Sequence, residues 1–168
     1  PGSAVYAFWP LSAGWMSAHA YDHYLFTEDK EFLKETGYPI IRDAGRFFLD
    51  VLTDNGKGEL TFAPSTSPEN SFILDGKRCS VAETTTMTMA IIQETLENVV
   101  SCCEVLDTDP DLKAEAQAAL AKLPKFQIGS RGELLEWNEE LTEAEPEHRH
   151  TSCIISFKVN IWGTNRLR

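Results

Sequence analysis

Apolar side chains recur along most of this chain at three- and four-residue steps, the spacing of one face of an α-helix. An aromatic and apolar stretch from about Trp9 to Phe26 is interpreted as the first helix, and a turn follows it. Asp29 is suited to N-cap a short helix over residues 30–35, which Gly37 would end. The next apolar stripe predicts a helix from Tyr38 to Leu52, with a proline tolerated in its first turn.

The second half of the chain predicts two more helices and a long irregular segment. One helix runs from Thr84 to Leu106. Another begins after Asp109, the expected N-cap, and continues to about Leu123. Residues 60–62 are a short extended piece, and residues 126–150 are predicted to form an acidic loop. Several antiparallel helices without a convincing strand pattern place the chain in the all-α class.

Composition excludes some classes of partner. The 168 residues correspond to one domain or a piece of a larger one, and 26 acidic against 15 basic side chains give a net charge of −11. Binding to a phosphate backbone needs clustered cations, so we expect no nucleic-acid partner. No apolar run approaches the ~20 residues that span a bilayer, so we expect no membrane partner. The first residues lack a Met and a basic region, so we expect the sequence to begin within a longer chain, which leaves its location open.

Cysteine and histidine positions give little support for a metal site. Cys102 and Cys103 are adjacent and point to different faces of a helix, so we predict that the four cysteines are reduced thiols, mostly buried. His19 and His23 lie four residues apart on one helix face, which would suit a two-histidine metal site. Because no third ligand is identifiable, packed or capping histidines are the favoured interpretation, and no metal is predicted.

The sharpest local feature is the segment Pro64-Ser65-Thr66-Ser67-Pro68-Glu69-Asn70. Its two prolines and three hydroxyl residues cannot continue a helix or strand, so we predict an ordered loop. A carboxylate in such a loop is positioned better than one on a mobile surface. If the loop is partly buried, Glu69 would act as a general acid near neutral pH, because burial favours the protonated carboxyl. The alternative is a solvated glutamate after a tight turn.

A second polar cluster is Glu147-His148-Arg149-His150-Thr151-Ser152. Its side chains offer hydrogen-bond donors in fixed directions, which suits recognition of neutral hydroxyl groups. It could equally be a surface cluster that neutralises the acidic segment before it. Trp9 and Trp15 could stack on a sugar ring, although core packing is the commoner role of tryptophan.

These segments resemble glycoside hydrolase family 95, whose members are α-L-fucosidases acting mainly on terminal α-1,2-linked fucose. The resemblance covers roughly residues 5–152 and rests on the order of the segments rather than on any one motif. The matching segments are Trp9-Pro10, His19, Asp22-His23-Tyr24-Leu25-Phe26-Thr27, Pro64-Ser65-Thr66-Ser67-Pro68-Glu69-Asn70, Thr86-Met87, Met89, Ile91-Ile92, Leu123-Pro124, Gln127-Ile128-Gly129, Glu136-Trp137 and His148-Arg149-His150-Thr151-Ser152.

The resemblance implies a catalytic (α/α)6 barrel, of which this chain would be the central part, and an inverting hydrolysis that needs no cofactor. The family's general acid is the glutamate of its Ser-Pro-Glu segment, here Glu69. Its water is activated by an asparagine that an aspartate polarises, and these would lie upstream and downstream of this chain. Arg149 and His150 match sugar-contacting residues, and Trp9 is a weaker match to a wall of the sugar pocket.

Two features depart from the family pattern. Thr88 stands where the family usually has Asp, which would loosen the hydrogen bonding behind the loop that carries Glu69. Residues 153–168 match nothing in the family. We therefore expect residues 1–152 to form the central part of the catalytic domain, and residues 153–168 to be a non-matching tail from a frameshift or a mispredicted gene end.

The predicted function is removal of terminal α-L-fucose from a fucosylated oligosaccharide or glycoconjugate, by a chain that lacks part of the active site and has little activity alone. Two alternatives stay open, an α-L-galactosidase on the same scaffold and a noncatalytic helical interaction module. Convergence of Glu69, Arg149 and His150 on one cavity would favour the enzyme. The linkage preference and the oligomeric state are left open.

Overall fold

Helices are the main regular element of the computed structural model, which describes residues 8–67 and 69–146. The candidate residues Arg149 and His150 and the predicted tail 153–168 lie outside the described residues. The described residues belong to two compact units. A helical unit comprises residues 10–62 and 91–124, and a loop-rich unit comprises residues 8–9, 63–67, 69–90 and 125–146.

The helical unit confirms the predicted helices. Its helices and strands are α1 (Ser12–Thr27), α2 (Lys30–Phe32), a π-helical turn (Leu33–Gly37), α3 (Tyr38–Val51), β1 (Thr53–Asp54), β2 (Leu60–Thr61), α4 (Thr86–Leu106) from residue 91 onwards, and α5 (Pro110–Leu120). α1 packs mainly on α3, and β1 and β2 pair as an antiparallel hairpin. Within residues 8–67 and 69–146, no helix is both long and apolar enough to cross a membrane.

The predicted end of a helix at Gly37 is wrong, because the chain passes from α2 into α3 through a π-helical turn. The N–H of Tyr38 bonds the carbonyl of Leu33 across this turn, and Gly37 has an ordinary helical φ of −67°. A Cβ on Gly37 would lie 3.3 Å from a methyl of Leu33 and 3.7 Å from the carbonyl oxygen of Ala20. Glycine therefore allows close packing here and is not a left-handed C-cap. The wider turn also accommodates Pro39, which has no N–H for the regular helical ladder.

The two predicted N-cap aspartates behave differently. Asp29 accepts a hydrogen bond from the N–H of Phe32 at 2.9 Å, as predicted. Asp109 does not cap α5 with its side chain, because its backbone is left-handed and its carboxylate accepts a bond from the Tyr38 hydroxyl at 2.5 Å. Burial, and then this bond to Asp109, raises the pKa of Tyr38. The pair ties the start of α3 to the start of α5.

The cysteines that the structure describes are free thiols. Cys102 and Cys103 are buried and Cys79 is partly exposed, which agrees with the prediction of reduced, mostly buried thiols. Burial raises the pKa of Cys102 to about 12, so this thiol stays protonated and unreactive. Cys153 lies outside the described residues.

Close packing of α3 against α4 leaves no room for a side chain at Gly45. A Cβ there would lie 2.5 Å from Cγ2 of the fully buried Val99. Alanine normally stabilises a helix by about 1 kcal/mol relative to glycine, but overpacking a core costs about 1–3 kcal/mol. We therefore expect Gly45→Ala to lower the free energy of unfolding by up to about 2 kcal/mol in urea denaturation.

The control for this substitution is Asp50→Ala on an exposed position of α3. It should change the free energy of unfolding by less than about 0.5 kcal/mol. If Gly45→Ala instead stabilised the chain, helix propensity would outweigh the contact with Val99, and the packing of the two helices would be looser than described.

The loop-rich unit contains short strands, so the all-α prediction is too narrow, although helices are the main regular element of the described residues. β3 (Phe72–Leu74) lies between β4 (Lys77–Cys79) and β5 (Thr142–Glu143), and both pairings are antiparallel. Asp75 and Gly76 join β3 to β4 with φ values of 50° and 71°, as a tight two-residue hairpin turn requires. This Asp-Gly pair was the available sequence signal, because strands of three residues are too short to show clear alternation.

Candidate active site

Glu69 differs from its neighbours on the loop between β2 and β3. Among residues 65–67 and 69–71, Glu69 is exposed and the other five side chains are buried. The prediction of an ordered loop is therefore confirmed. The loop is thus partly buried, as the sequence-based hypothesis for Glu69 required, whereas the side chain of Glu69 itself faces solvent.

A closed turn holds the backbone of Glu69. The N–H of Asn70 donates to the carbonyl of Ser67 at 2.8 Å, which closes a four-residue turn with Glu69 in its third position. Asn70 is fully buried, and its side-chain oxygen accepts a bond from the N–H of Ser71 at 2.8 Å. These hydrogen bonds therefore hold Ser67 and Asn70, between which the exposed carboxylate of Glu69 lies in the sequence.

Three buried hydroxyl groups hold the beginning of the loop against the start of α4. Ser65 Oγ lies 3.1 Å from Thr85 Oγ1 and 2.7 Å from Thr88 Oγ1, and the Thr85 hydroxyl donates to Thr88 at 2.8 Å. The backbone of Ser65 also pairs in both directions with that of Ala82 at 2.9 Å. Thr88 thus takes part in a closed set of hydrogen bonds.

Trp9 lies next to a residue that contacts the loop. The hydroxyl of Thr66 donates to the carbonyl of Phe8 at 2.7 Å, and Trp9 follows Phe8 with a partly buried side chain. The weaker sugar-wall candidate is therefore found in the same unit as Glu69, whereas Trp15 belongs to α1 in the helical unit. Contact of Trp9 with a sugar stays a prediction.

Glu136 is a buried acidic residue of this unit that was not predicted from the sequence to have a role. It is 2% exposed, and one carboxylate oxygen accepts a bond from the Ser67 hydroxyl at 2.7 Å. The carbonyl of Glu136 also accepts a bond from the N–H of Thr86 at 3.0 Å, at the start of α4. Trp137 is buried beside it and packs edge-on against Phe72, with ring centroids 5.2 Å apart. A glutamate adjoining a tryptophan within an acidic segment was the only local signal.

The remaining candidates fall outside this set of contacts or outside the described residues. Arg149 and His150 belong to the latter group, so their role stays a prediction. His19 and His23 are exposed on α1, and the His23 ring packs against Phe32 with centroids 4.2 Å apart. Among the described residues, no three His, Cys, Asp or Glu side chains are grouped closely enough to hold a metal ion.

Comparisons with known proteins agree with the resemblance. The family model described as Glycosyl hydrolase family 95 catalytic domain matches residues 1–158. The chain is 43% identical over 156 residues to Alpha-L-fucosidase 2 of Arabidopsis thaliana, which covers 92% of this chain and 18% of that protein. It is 28% identical over 158 residues to Probable alpha-fucosidase A of Aspergillus niger, covering 92% of this chain and 20% of that protein.

The chain thus spans about a fifth of the length of these curated relatives. The family match extends over nearly the whole chain, including the loop that carries Glu69 and the segment that carries Glu136. The ordered motifs found in the sequence and this match lead to one assignment. The chain belongs to glycosyl hydrolase family 95, within the region that the family's catalytic-domain model describes.

Proposed function

We propose that this chain is the general-acid part of an inverting α-L-fucosidase that removes terminal, mainly α-1,2-linked, fucose from oligosaccharides or glycoconjugates. Two relatives named as fucosidases support the substrate class. The observation that carries the proposal is the exposed carboxylate of Glu69 on a turn whose described neighbours are buried and hydrogen-bonded. Such a group can meet a substrate without the loop having to order first.

In this mechanism Glu69 donates its proton to the glycosidic oxygen as the bond to fucose breaks. A water molecule attacks the opposite face of the sugar, so the configuration at the anomeric carbon inverts. The family pattern supplies the water-activating asparagine and aspartate from outside this chain. We therefore propose that activity needs those segments and that the chain alone has little of it.

The same proposal assigns roles to the other residues that the sequence predicts for the site. Arg149 and His150 donate hydrogen bonds to fucose hydroxyl groups, and Trp9 forms part of the wall of the sugar pocket. Residues 1–152 would form the central part of an (α/α)6 barrel. Because the family match reaches residue 158, the non-matching tail would begin after that residue and not at residue 153. Helix pairs such as α1 and α3 are the units from which such a barrel is built.

A segment exchange tests the proposed function. We would replace the matching segment of Alpha-L-fucosidase 2 by residues 1–152 of this chain, which gives the chimera. The chimera should release fucose from an α-1,2-fucosylated oligosaccharide, since the exchanged segment would bring its own acid. Hydrolysis is measured against the parent enzyme and against an α-L-galactoside, which differs from a fucoside only at C6.

The control for the exchange carries the matching segment of Probable alpha-fucosidase A in the same place. A folded chimera without fucosidase activity, beside an active control, would contradict the proposed function. Preferential hydrolysis of the α-L-galactoside would support the α-L-galactosidase alternative in its place.

A further inference from the structure

We propose that Glu136 is a positioning residue for the general acid, acting through Ser67. This inference rests on the proposed function, because it concerns the residue that carries the proton. Glu136 does not contact substrate in this scheme. Its carboxylate bonds the first residue of the turn in which Glu69 occupies the third position.

Ser67 is the point at which the turn is fixed from both its side chain and its main chain. Its hydroxyl donates to Glu136 Oε2 at 2.7 Å. Its carbonyl accepts the N–H of Asn70 at 2.8 Å, the bond that closes the turn around Glu69. A shift of Ser67 would therefore move the base of the whole turn, and Glu69 would move with it.

Glu136 is itself held by a regular element. Its carbonyl accepts the N–H of Thr86, the first residue of the 21-residue helix α4, at 3.0 Å. The Thr86 hydroxyl donates to the carbonyl of Leu135 at 2.5 Å, one residue earlier. The backbone carbonyls of Leu135 and Glu136 thus both accept hydrogen bonds from Thr86, which connects Glu136 to the start of α4. A site supported by a helix is more precise than one on a free loop.

Burying a carboxylate at position 136 is energetically unfavourable. Glu136 is 2% exposed, and within the described part of the chain its other oxygen, Oε1, has no hydrogen-bond partner. Burying an ionised group with few partners is costly, and a neutral amide or apolar side chain would fill the space at lower cost. What the carboxylate adds is a charge-assisted bond, roughly twice as strong as a neutral one. Among the described residues this bond is made to Ser67, which supports a role in fixing the loop.

The consequence for catalysis is geometric. Proton donation requires the acid within hydrogen-bond reach of the leaving oxygen, and a displacement of 1 Å can cost about 10²-fold in rate. Leaving groups that depart without protonation do not depend on that alignment. Loss of the bond between Ser67 and Glu136 should therefore harm substrates with poor leaving groups most.

The experiment uses the chimera defined above and compares Ser67→Ala, Glu136→Gln and the double variant. Ser67→Ala should lower kcat by about 10- to 100-fold for an oligosaccharide and by much less for an aryl fucoside, with KM nearly unchanged. Glu136→Gln keeps an acceptor for Ser67 and should lose no more than about 5-fold. The double variant should resemble Ser67→Ala, because without the Ser67 hydroxyl the residue at position 136 has no bond to that hydroxyl to strengthen or weaken.

The matched control is Ser71→Ala. Ser71 is a buried serine of the same loop whose hydroxyl lies 3.1 Å from that of Ser80. This variant should lower stability without creating a difference between leaving groups. If Ser67→Ala does not fold, Glu136→Asp replaces it, because its shorter side chain withdraws the carboxylate from Ser67 and should give the same leaving-group dependence.

Equal losses of kcat on all substrates would overturn the positioning role. A double variant whose loss of kcat is the product of the losses in the two single variants would overturn it as well. That result is distinct from failure of the proposed function, which would appear as an inactive unsubstituted chimera. An active chimera whose Ser67 and Glu136 variants behave like Ser71→Ala leaves the fucosidase proposal intact and removes only this inference.

Discussion

Glu69→Gln should lower kcat for an α-1,2-fucosylated oligosaccharide by about 10²–10⁴-fold, the usual contribution of a positioned proton donor. The fold should survive, because Glu69 is exposed and the bonds that close its turn use the backbone of Ser67 and Asn70. Aryl fucosides with good leaving groups should lose much less, since their bond breaks with little protonation. The measurement is kcat of the chimera, with and without this substitution, for a series of fucosides graded by leaving group.

Glu139→Gln is the control for this substitution, because Glu139 is an exposed glutamate of the same unit. It should leave kcat unchanged for every substrate. Equal losses for good and poor leaving groups in Glu69→Gln would exclude Glu69 as the acid and return the turn to the alternative of a solvated glutamate.

Arg149→Ala and His150→Ala should each reduce kcat/KM for every fucoside, whatever the leaving group. Fucose is uncharged, so these residues can contribute only through directed hydrogen bonds to hydroxyl groups. Removing one donor from a desolvated site costs about 1–3 kcal/mol, or roughly 5- to 150-fold. The measurement is kcat/KM for the same fucoside series in the chimera.

Arg131→Ala provides the comparison for Arg149. Arg131 is exposed and paired with Glu133 at 2.8 Å, so its loss should change kcat/KM little. Unchanged activity in either Arg149→Ala or His150→Ala would end the assignment of that residue to the sugar. Loss of activity on treatment with a chelator would instead support the metal alternative for His19 and His23.

The sequence predicted the helices well because their signal is local and repeated. Apolar stripes several turns long give α3 and α4 within a few residues of their observed bounds, and a continuous aromatic and apolar stretch gives α1. The predictions of helix ends fail where one residue type has two structural uses, as glycine does when it either ends a helix or allows close packing. Gly37 stands where a helix end is expected from the sequence, but its φ is helical, and the closeness of Leu33 to it depends on packing that the sequence alone does not show.

The same distinction applies to polar residues whose partners are far away in sequence. Asp109 has the local sequence of an N-cap, yet its carboxylate bonds Tyr38, which lies 71 residues earlier. Glu69 could be singled out because its loop is unusual over a few residues. Glu136 could not, because it is one of several glutamates in an acidic segment and its partner Ser67 lies 69 residues away.

The three hydroxyl groups of Ser65, Thr85 and Thr88 have a consequence for the behaviour of the loop in acid. Each hydroxyl can donate one hydrogen bond and accept others, so the cluster can reverse its donor directions without gaining or losing a proton. An aspartate at position 88 would fix both neighbouring hydroxyls as donors, and its protonation would weaken that arrangement. With threonine there, the anchorage of this end of the loop contains no titrating group. It should therefore keep the same hydrogen bonds across the acidic range.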